Sequence, residues 1–241
     1  MSLRSPALAV PLTQRSVAGL KSRATISDYD RSGLTSGIVH IGVGGFNRSH
    51  LAVYLDDLLQ NSQTGGWGEF GVGLLPPDLD LHDALAAQDF LYGVLERDAG
   101  HANYRIIGSL TGHVYAPAAQ REVIERMASP ECKIISLTVT EGGYFLDDAS
   151  GEFLAGAAAI QHDLENAGAP ITWLGYVAAA ASRRMQQGLP FTLLSCDNLQ
   201  SNGDTARKAL LSFAALRDGK LRAWMEANVS FPNSMVDRIT P

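Results

Sequence analysis

The chain has 241 residues, 46% of them hydrophobic, and a formal net charge of −6. That length and apolar content can bury a full core, as one large α/β domain or as one domain with appendages. The charge argues against a nucleic-acid partner: no basic block stands out, and Arg183 and Arg184 fit a solvated helix face better than a phosphate clamp.

Residues 1–36, with Pro6, Pro11 and scattered serines, read as an N-terminal arm over the surface. They lack the sustained apolar stretch of a secretory signal. The longest small-apolar stretch, residues 177–181, is far short of the about 20 residues of a membrane span. A cytoplasmic chain with no membrane partner is therefore expected.

The domain proper is expected to occupy residues 37–241, and its elements alternate. A strand is predicted over 37–43 and a helix over 46–59, with Leu51, Leu55, Leu58 and Leu59 on one face. A second strand at 70–75 follows the turn signal Gly65-Gly66, and a helix covers 78–87. Segments 90–95 and 104–110 look extended, 116–128 helical, and 133–139 has the apolar run of a strand buried on both faces. Helices are predicted at 156–166 and 172–186, a strand at 191–195, a long helix over 204–227 broken near Gly219, and a last strand at 229–231. This alternation predicts an α/β fold, a doubly wound, mostly parallel sheet whose ligands gather at the carboxyl ends of strands.

Three loops follow predicted strands and are rich in small and polar residues: 42–47, 138–144 and 195–203. The first belongs to the run Ile-Val-His-Ile-Gly-Val-Gly-Gly-Phe-Asn-Arg-Ser-His at 38–50. There Gly42 supplies a tight turn, Gly44 lets backbone approach a diphosphate, and the helix start offers N–H groups and a positive dipole end. The predicted ligand is a dinucleotide. The third glycine of Gly-x-Gly-x-x-Gly is replaced by Asn47, and a glycine loop with no ligand is the alternative.

After the second strand, Asp78 is the carboxylate suited to an adenosine ribose, with Asp80 and Asp83 as competitors and a helix N-cap as its other reading. Cys132 and Cys196 are expected to be buried, reduced thiols. With six scattered histidines and no Cys-x-x-Cys or His-Glu-x-x-His, no metal site is expected.

The glycine turn, the loop Thr-Val-Thr-Glu-Gly-Gly-Tyr at 138–144, the run Ser-Cys-Asp-Asn-Leu-Gln-Ser-Asn-Gly at 195–203 and the ending Phe-Pro-Asn-Ser-Met-Val-Asp-Arg-Ile-Thr-Pro at 231–241 together resemble the polyol-specific long-chain dehydrogenases, the mannitol dehydrogenase family. The resemblance implies a Rossmann-like domain and metal-independent, NAD-linked interconversion of a polyol with its ketose, mannitol with fructose for example. A sugar-acid oxidoreductase of the same family and a non-catalytic dinucleotide-binding module remain open alternatives.

By residue matching, the resemblance places Gly42, Gly44, Gly45, Phe46, Asn47 and Arg48 in the dinucleotide turn, Asp78 as acidic selector, and Thr140 and Glu141 near the cofactor. Glu141 reads equally as a surface turn residue. Pro77 stands where relatives carry the first acid of a Glu-Asp pair, and Asn47 where many carry histidine.

Asn198 matches the asparagine that holds the reacting oxygen, a role suited to an amide donor facing alkoxide charge, although a loop amide bonding local backbone is its other reading. Asp237 matches a substrate-side carboxylate, and Arg238 an ion-pairing anchor of its loop. The family's proton donor is a lysine in a second, mostly helical domain. None of Lys21, Lys133, Lys208 and Lys220 is placed for that role, and Tyr-x-x-x-Lys is absent. The chain is thus expected to be the cofactor-domain part of a longer, monomeric enzyme, truncated before its helical domain, binding dinucleotide weakly and turning over nothing by itself.

Overall fold

A computed structural model describes residues 11–61, 65–98 and 100–236. In chain order the strands are β1 (Thr25–Ile26), β2 (Thr35–Ile41), β3 (Trp67–Gly73), β4 (Tyr92–Asp98), β5 (His101–Ile107), β6 (Leu110–Tyr115), β7 (Ile134–Leu137), β8 (Phe191–Ser195) and β9 (Val229–Ser230). The α-helices are α1 (Gly45–Ser49), α2 (Leu51–Gln60), α3 (Asp78–Ala86), α4 (Gln120–Ala128), α5 (Ala158–Glu165), α6 (Trp173–Gln187), α7 (Asn202–Arg217) and α8 (Gly219–Asn228).

Six strands form one sheet in the order β6-β3-β2-β7-β8-β9, and every neighbouring pair is parallel. From β2 the chain steps outward through β3 to β6, returns to β7 beside β2, and steps outward the other way through β8 to β9. This is the doubly wound, Rossmann-like topology, with its switch point between β2 and β7.

Strand alternation sorts the two faces. Val39, Ile41, Phe70, Val72, Ile135 and Leu137 pack with Val123 and Met127 of α4 and the alanines of α6 in the main core. Ile38 turns the other way, against Leu55 and Leu59 of α2. Four successive alanines, Ala178 to Ala181, are all buried, so α6 lies close against α4 and α8.

The structure departs from the expected elements in four places. The predicted helix 46–59 is two helices, because His50 adopts φ −123° and ψ −90°; its ring stacks on Phe46 at 4.6 Å and meets Tyr54 edge-on at 4.9 Å. The single extended segment 104–110 ends one sheet and begins another. β5 pairs with β4 (antiparallel) and β1 (parallel) in a separate three-stranded sheet, and β6 joins the main sheet beside β3. β6 then runs on to Tyr115, so α4 begins at Gln120 rather than at 116, after a 3-10 turn holding Pro117.

The fourth departure is Arg184, which is 1% exposed rather than solvated. Its guanidinium donates to the carbonyls of Met127 and Ser129 at the end of α4, and to those of Leu189 and Pro190 past the end of α6. A cation placed at two helix C-termini satisfies carbonyls that have no intrahelical donor. Cys132 and Cys196 are buried and free, as expected.

Residues 25–29 are fastened to this body. β1 extends the small sheet, and buried Asp56 of α2 accepts from Ser27, Tyr29 and the backbone N–H of Gly108.

Candidate functional site

At the switch point the chain leaves β2 through Gly42, whose φ of +94° belongs to the left-handed region. A Cβ there would lie 2.0 Å from the carbonyl oxygen of Thr138, the residue after β7. Only glycine lets the two loops approach so closely. The Gly42 carbonyl accepts from Thr138 Oγ1 at 2.5 Å and from the Gly44 N–H at 2.7 Å, which closes the turn. A Cβ on Gly44 would meet nothing nearer than 3.9 Å, and one on Gly45 nothing within 4 Å. The fold does not need these two glycines for internal clearance; their bare backbone leaves room for something outside the chain.

A cleft of about 430 Å³ opens beside the turn. Gly42 and Gly44 form one wall, Leu74, Leu75 and Asp78 a second, Thr138, Val139 and Thr140 a third, and Ile171, Thr172 and Trp173 the far side. The lining is largely apolar with few polar groups, as small-molecule sites usually are. Trp173 is fixed by its indole N–H, which donates to the Gly143 carbonyl at 2.7 Å. Buried Asp163 accepts from the N–H groups of Ile171 and Thr172 and from the Thr172 hydroxyl, anchoring the start of α6.

Asp78 is the first residue of α3. Its Oδ2 accepts from the Leu75 N–H at 2.8 Å, three residues back, so it closes the turn before the helix rather than capping α3 itself. Gly73 makes room for it, since a Cβ there would stand 2.4 Å from Asp78 Cβ. Of the three competing carboxylates, Asp78 lines the cleft and Asp80 and Asp83 do not.

Thr140 carries φ +63°, a strained backbone for a β-branched residue. The group that holds it is Asp197, in the loop after β8. Asp197 Oδ1 accepts from the Thr140 N–H at 3.0 Å, and Oδ2 from the Val139 N–H at 3.1 Å and the Tyr144 hydroxyl at 2.6 Å. Burial and this carboxylate push the Tyr144 phenol well above its ordinary range. One carboxylate thus fastens the loop after β7 to the loop after β8.

Asn198 follows directly and is exposed. Its loop is tied in turn to the end of the described chain. Asn202, 1% exposed, reaches the Asp197 carbonyl at 3.0 Å and the carbonyl and hydroxyl of Ser234, and accepts from the Ser234 N–H. The Asn233 side chain accepts from the Gly203 N–H at 2.8 Å. Gly203 has no room for a Cβ, which would stand 2.4 Å from the Pro232 carbonyl.

The sequence-predicted residues therefore divide. Gly42, Gly44, Asp78 and Thr140 line one cleft. Gly45, Phe46, Asn47 and Arg48 follow in α1, outside that lining; Asn47 is buried, and the Arg48 carbonyl accepts from the Tyr92 hydroxyl at 2.7 Å. The dipole expected of a helix over 46–59 is reduced to that of a five-residue helix. Glu141 and Asn198 are exposed on the two fastened loops. Asp237 and Arg238 lie outside the described residues. Sequence reasoning missed Asp197, Asn202 and Asn233, although each sits inside a quoted motif; what distinguishes them is hydrogen bonding between segments distant in the chain.

The fold and cleft define a doubly wound α/β domain with a glycine turn at its switch point. The family profile "Mannitol dehydrogenase Rossmann domain" matches residues 36–241, and the chain belongs to that family. It is 46% identical over 219 residues to a mannitol 2-dehydrogenase of Pyricularia oryzae, covering 90% of this chain and 44% of that protein. Among solved structures it resembles the Pseudomonas fluorescens mannitol 2-dehydrogenase ternary complex with NAD and D-mannitol, with TM-score 0.93 and 44% identity over 96% of this chain and 48% of that one. It also resembles a D-sorbitol dehydrogenase in substrate-free form, with TM-score 0.90 and 40% identity over 95% of this chain and 48% of that one. The chain spans about half the length of the relatives it matches.

Proposed function

We propose that residues 37–241 form the NAD-binding domain of a metal-independent polyol dehydrogenase that interconverts a mannitol-type polyol with its ketose, residues 1–36 being an arm. The observation that carries this reading is the glycine cradle: Gly42 is forced by the fold, while Gly44 faces a cleft with space its own chain does not use. Gly42 and Gly44 would hold the diphosphate, and the Asp78 carboxylate would accept from the adenosine ribose and repel a 2′-phosphate. Thr140 and Glu141 would border the cofactor, and Gly45, Phe46, Asn47 and Arg48 would shape the turn's outer side. When bound, the dinucleotide supplies the hydride acceptor for the polyol carbon.

This chain's own part in the chemistry is orientation. Asn198 would donate its amide to the reacting oxygen, Asp237 would accept polyol hydroxyls, and Asp197 and Asn202 keep the loop carrying Asn198 beside the segment that leads to Asp237. Among the described residues none of the four lysines lines the cleft and all are exposed, so none stands where it could exchange a proton with a group bound there. A monomeric state and a cytoplasmic location go with this reading on resemblance alone.

The test is a titration of the chain with NADH and NADPH, following tryptophan emission. NADH is expected to quench Trp173 and to bind at least about tenfold more tightly than NADPH, with the preference reduced in Asp78→Asn. No turnover of mannitol with NAD is expected from the 241 residues alone. A chain that leaves NADH unbound, or prefers NADPH, overturns the reading.

A further inference from the structure

Beneath the glycine turn lies a chain of side-chain hydrogen bonds. His40, at the end of β2, is fully buried, as is Ser136 of β7. His40 Nδ1 lies 2.8 Å from Ser136 Oγ, and Nε2 lies 2.9 Å from Thr138 Oγ1 and 3.3 Å from the Gly42 carbonyl oxygen. Thr138 Oγ1 stands 2.5 Å from that same carbonyl.

These contacts have one consistent polarity. A carbonyl oxygen only accepts, so the single hydroxyl hydrogen of Thr138 points to Gly42. Thr138 Oγ1 must then accept from His40, which requires the hydrogen on Nε2. Nδ1 is left bare and accepts from the Ser136 hydroxyl. Burial holds the imidazole pKa down to about 3, so the ring stays neutral and this order persists through neutral pH.

We propose that the Ser136, His40 and Thr138 side chains act as a directional relay that orients the Gly42 carbonyl inward, making His40 a positioning residue for dinucleotide binding. The same carbonyl accepts from the Gly44 N–H at 2.7 Å, so a carbonyl rotated away would carry the peptide between Gly42 and Val43 with it and open the turn that presents Gly44 to the cleft. The hydroxyl and imidazole also bridge β2 to β7 at the switch point, where backbone pairing ends at Ile41 and Leu137. The proposal rests on the dinucleotide reading of the cleft.

The experiment joins imidazole nitrogen NMR on the isotope-labelled chain to NADH titrations of variants. The folded chain is expected to show His40 as the neutral Nε2–H tautomer throughout about pH 5 to 9. Thr138→Val is expected to raise the NADH Kd about tenfold, and Thr138→Ser to restore it to within about twofold. Ser136→Ala, remote from the cleft and acting only through His40, is expected to raise the Kd about threefold and to mix the tautomers. An Nδ1–H tautomer in the wild-type chain overturns the relay whatever the variants do. Wild-type NADH binding with unchanged Kd in Thr138→Val and Ser136→Ala overturns the proposal alone, whereas a wild-type chain that binds no NADH removes the dinucleotide reading and this proposal with it.

Discussion

At Gly42 and Gly44 the same substitution should have opposite signatures. An alanine at 42 meets both a φ of +94° and the Thr138 carbonyl 2.0 Å from its Cβ, so Gly42→Ala is expected to destabilise the chain by at least about 2 kcal/mol in thermal or urea unfolding. Gly44 has φ −88° and open space, so Gly44→Ala should leave stability within about 1 kcal/mol of wild type. Its methyl group nevertheless projects where a diphosphate would lie, and NADH affinity should fall about tenfold or more. If Gly44→Ala binds NADH as wild type does, the diphosphate does not lie against Gly44. The residue scale is also where sequence was most and least informative. Gly42 and Asp78 were legible because a turn and a carboxylate at a strand end have a local signature. Asn47 was not: its partner environment, with buried Glu69 beside it, comes from a strand about twenty residues away and leaves no local trace.

Between elements, the loops after β7 and β8 are held together by Asp197, and the strain at Thr140 makes that attachment measurable. Asparagine in its place keeps the shape but turns one acceptor into an amide donor facing the Val139 and Thr140 N–H groups or the Tyr144 hydroxyl. Asp197→Asn is therefore expected to lower stability by about 1–3 kcal/mol and to speed amide exchange across 139–144, with NADH affinity reduced alongside. Unchanged exchange in that loop would show that the carboxylate is not what holds Thr140. Elements with strong local patterns were legible: β8 occupies the predicted 191–195, and the break near Gly219 falls at Asp218, which caps α8 by accepting from the Lys220 N–H. Two that were not, the break at His50 and the division of 104–110, are both decided by packing. In the second, the chain changes sheets across only Gly108 and Ser109, whose N–H and hydroxyl bond to Asp56 and to the Ala52 carbonyl of α2 while Ile107 and Leu110 enter one small core, so two residues inside an extended run mark the break.

For the molecule as a whole, three fully or nearly buried titratable groups should shape the pH dependence of folding. His40, held down to about 3, and His113, held down to about 4 by burial and by the neighbouring His82, are neutral in the fold but take up protons near 6.5 when unfolded. Their contribution is present above about pH 6.5 and is lost as pH falls toward 4 and then 3. Glu69 works in the opposite sense. Glu69 is fully buried beside the Asn47 side chain, and burial, only partly offset by Asn47, raises its pKa from 4.5 to about 7, so the folded chain keeps a proton that the unfolded chain releases. Stability from Glu69 is lost as pH rises from about 4.5 to 7, by an amount on the order of 3 kcal/mol. Between about 4.5 and 6.5 the two histidines outweigh the one carboxyl, so stability should rise with pH, peak near 6.5 to 7, and level off above. Glu69→Gln removes only the opposing group. Urea unfolding of that variant should show a steeper rise toward pH 7 and a chain more stable than wild type at pH 8, with little difference at pH 4. An equal shift at both ends of the range would mean that Glu69 acts through packing, since a charge effect must vanish where the carboxyl is protonated in both states.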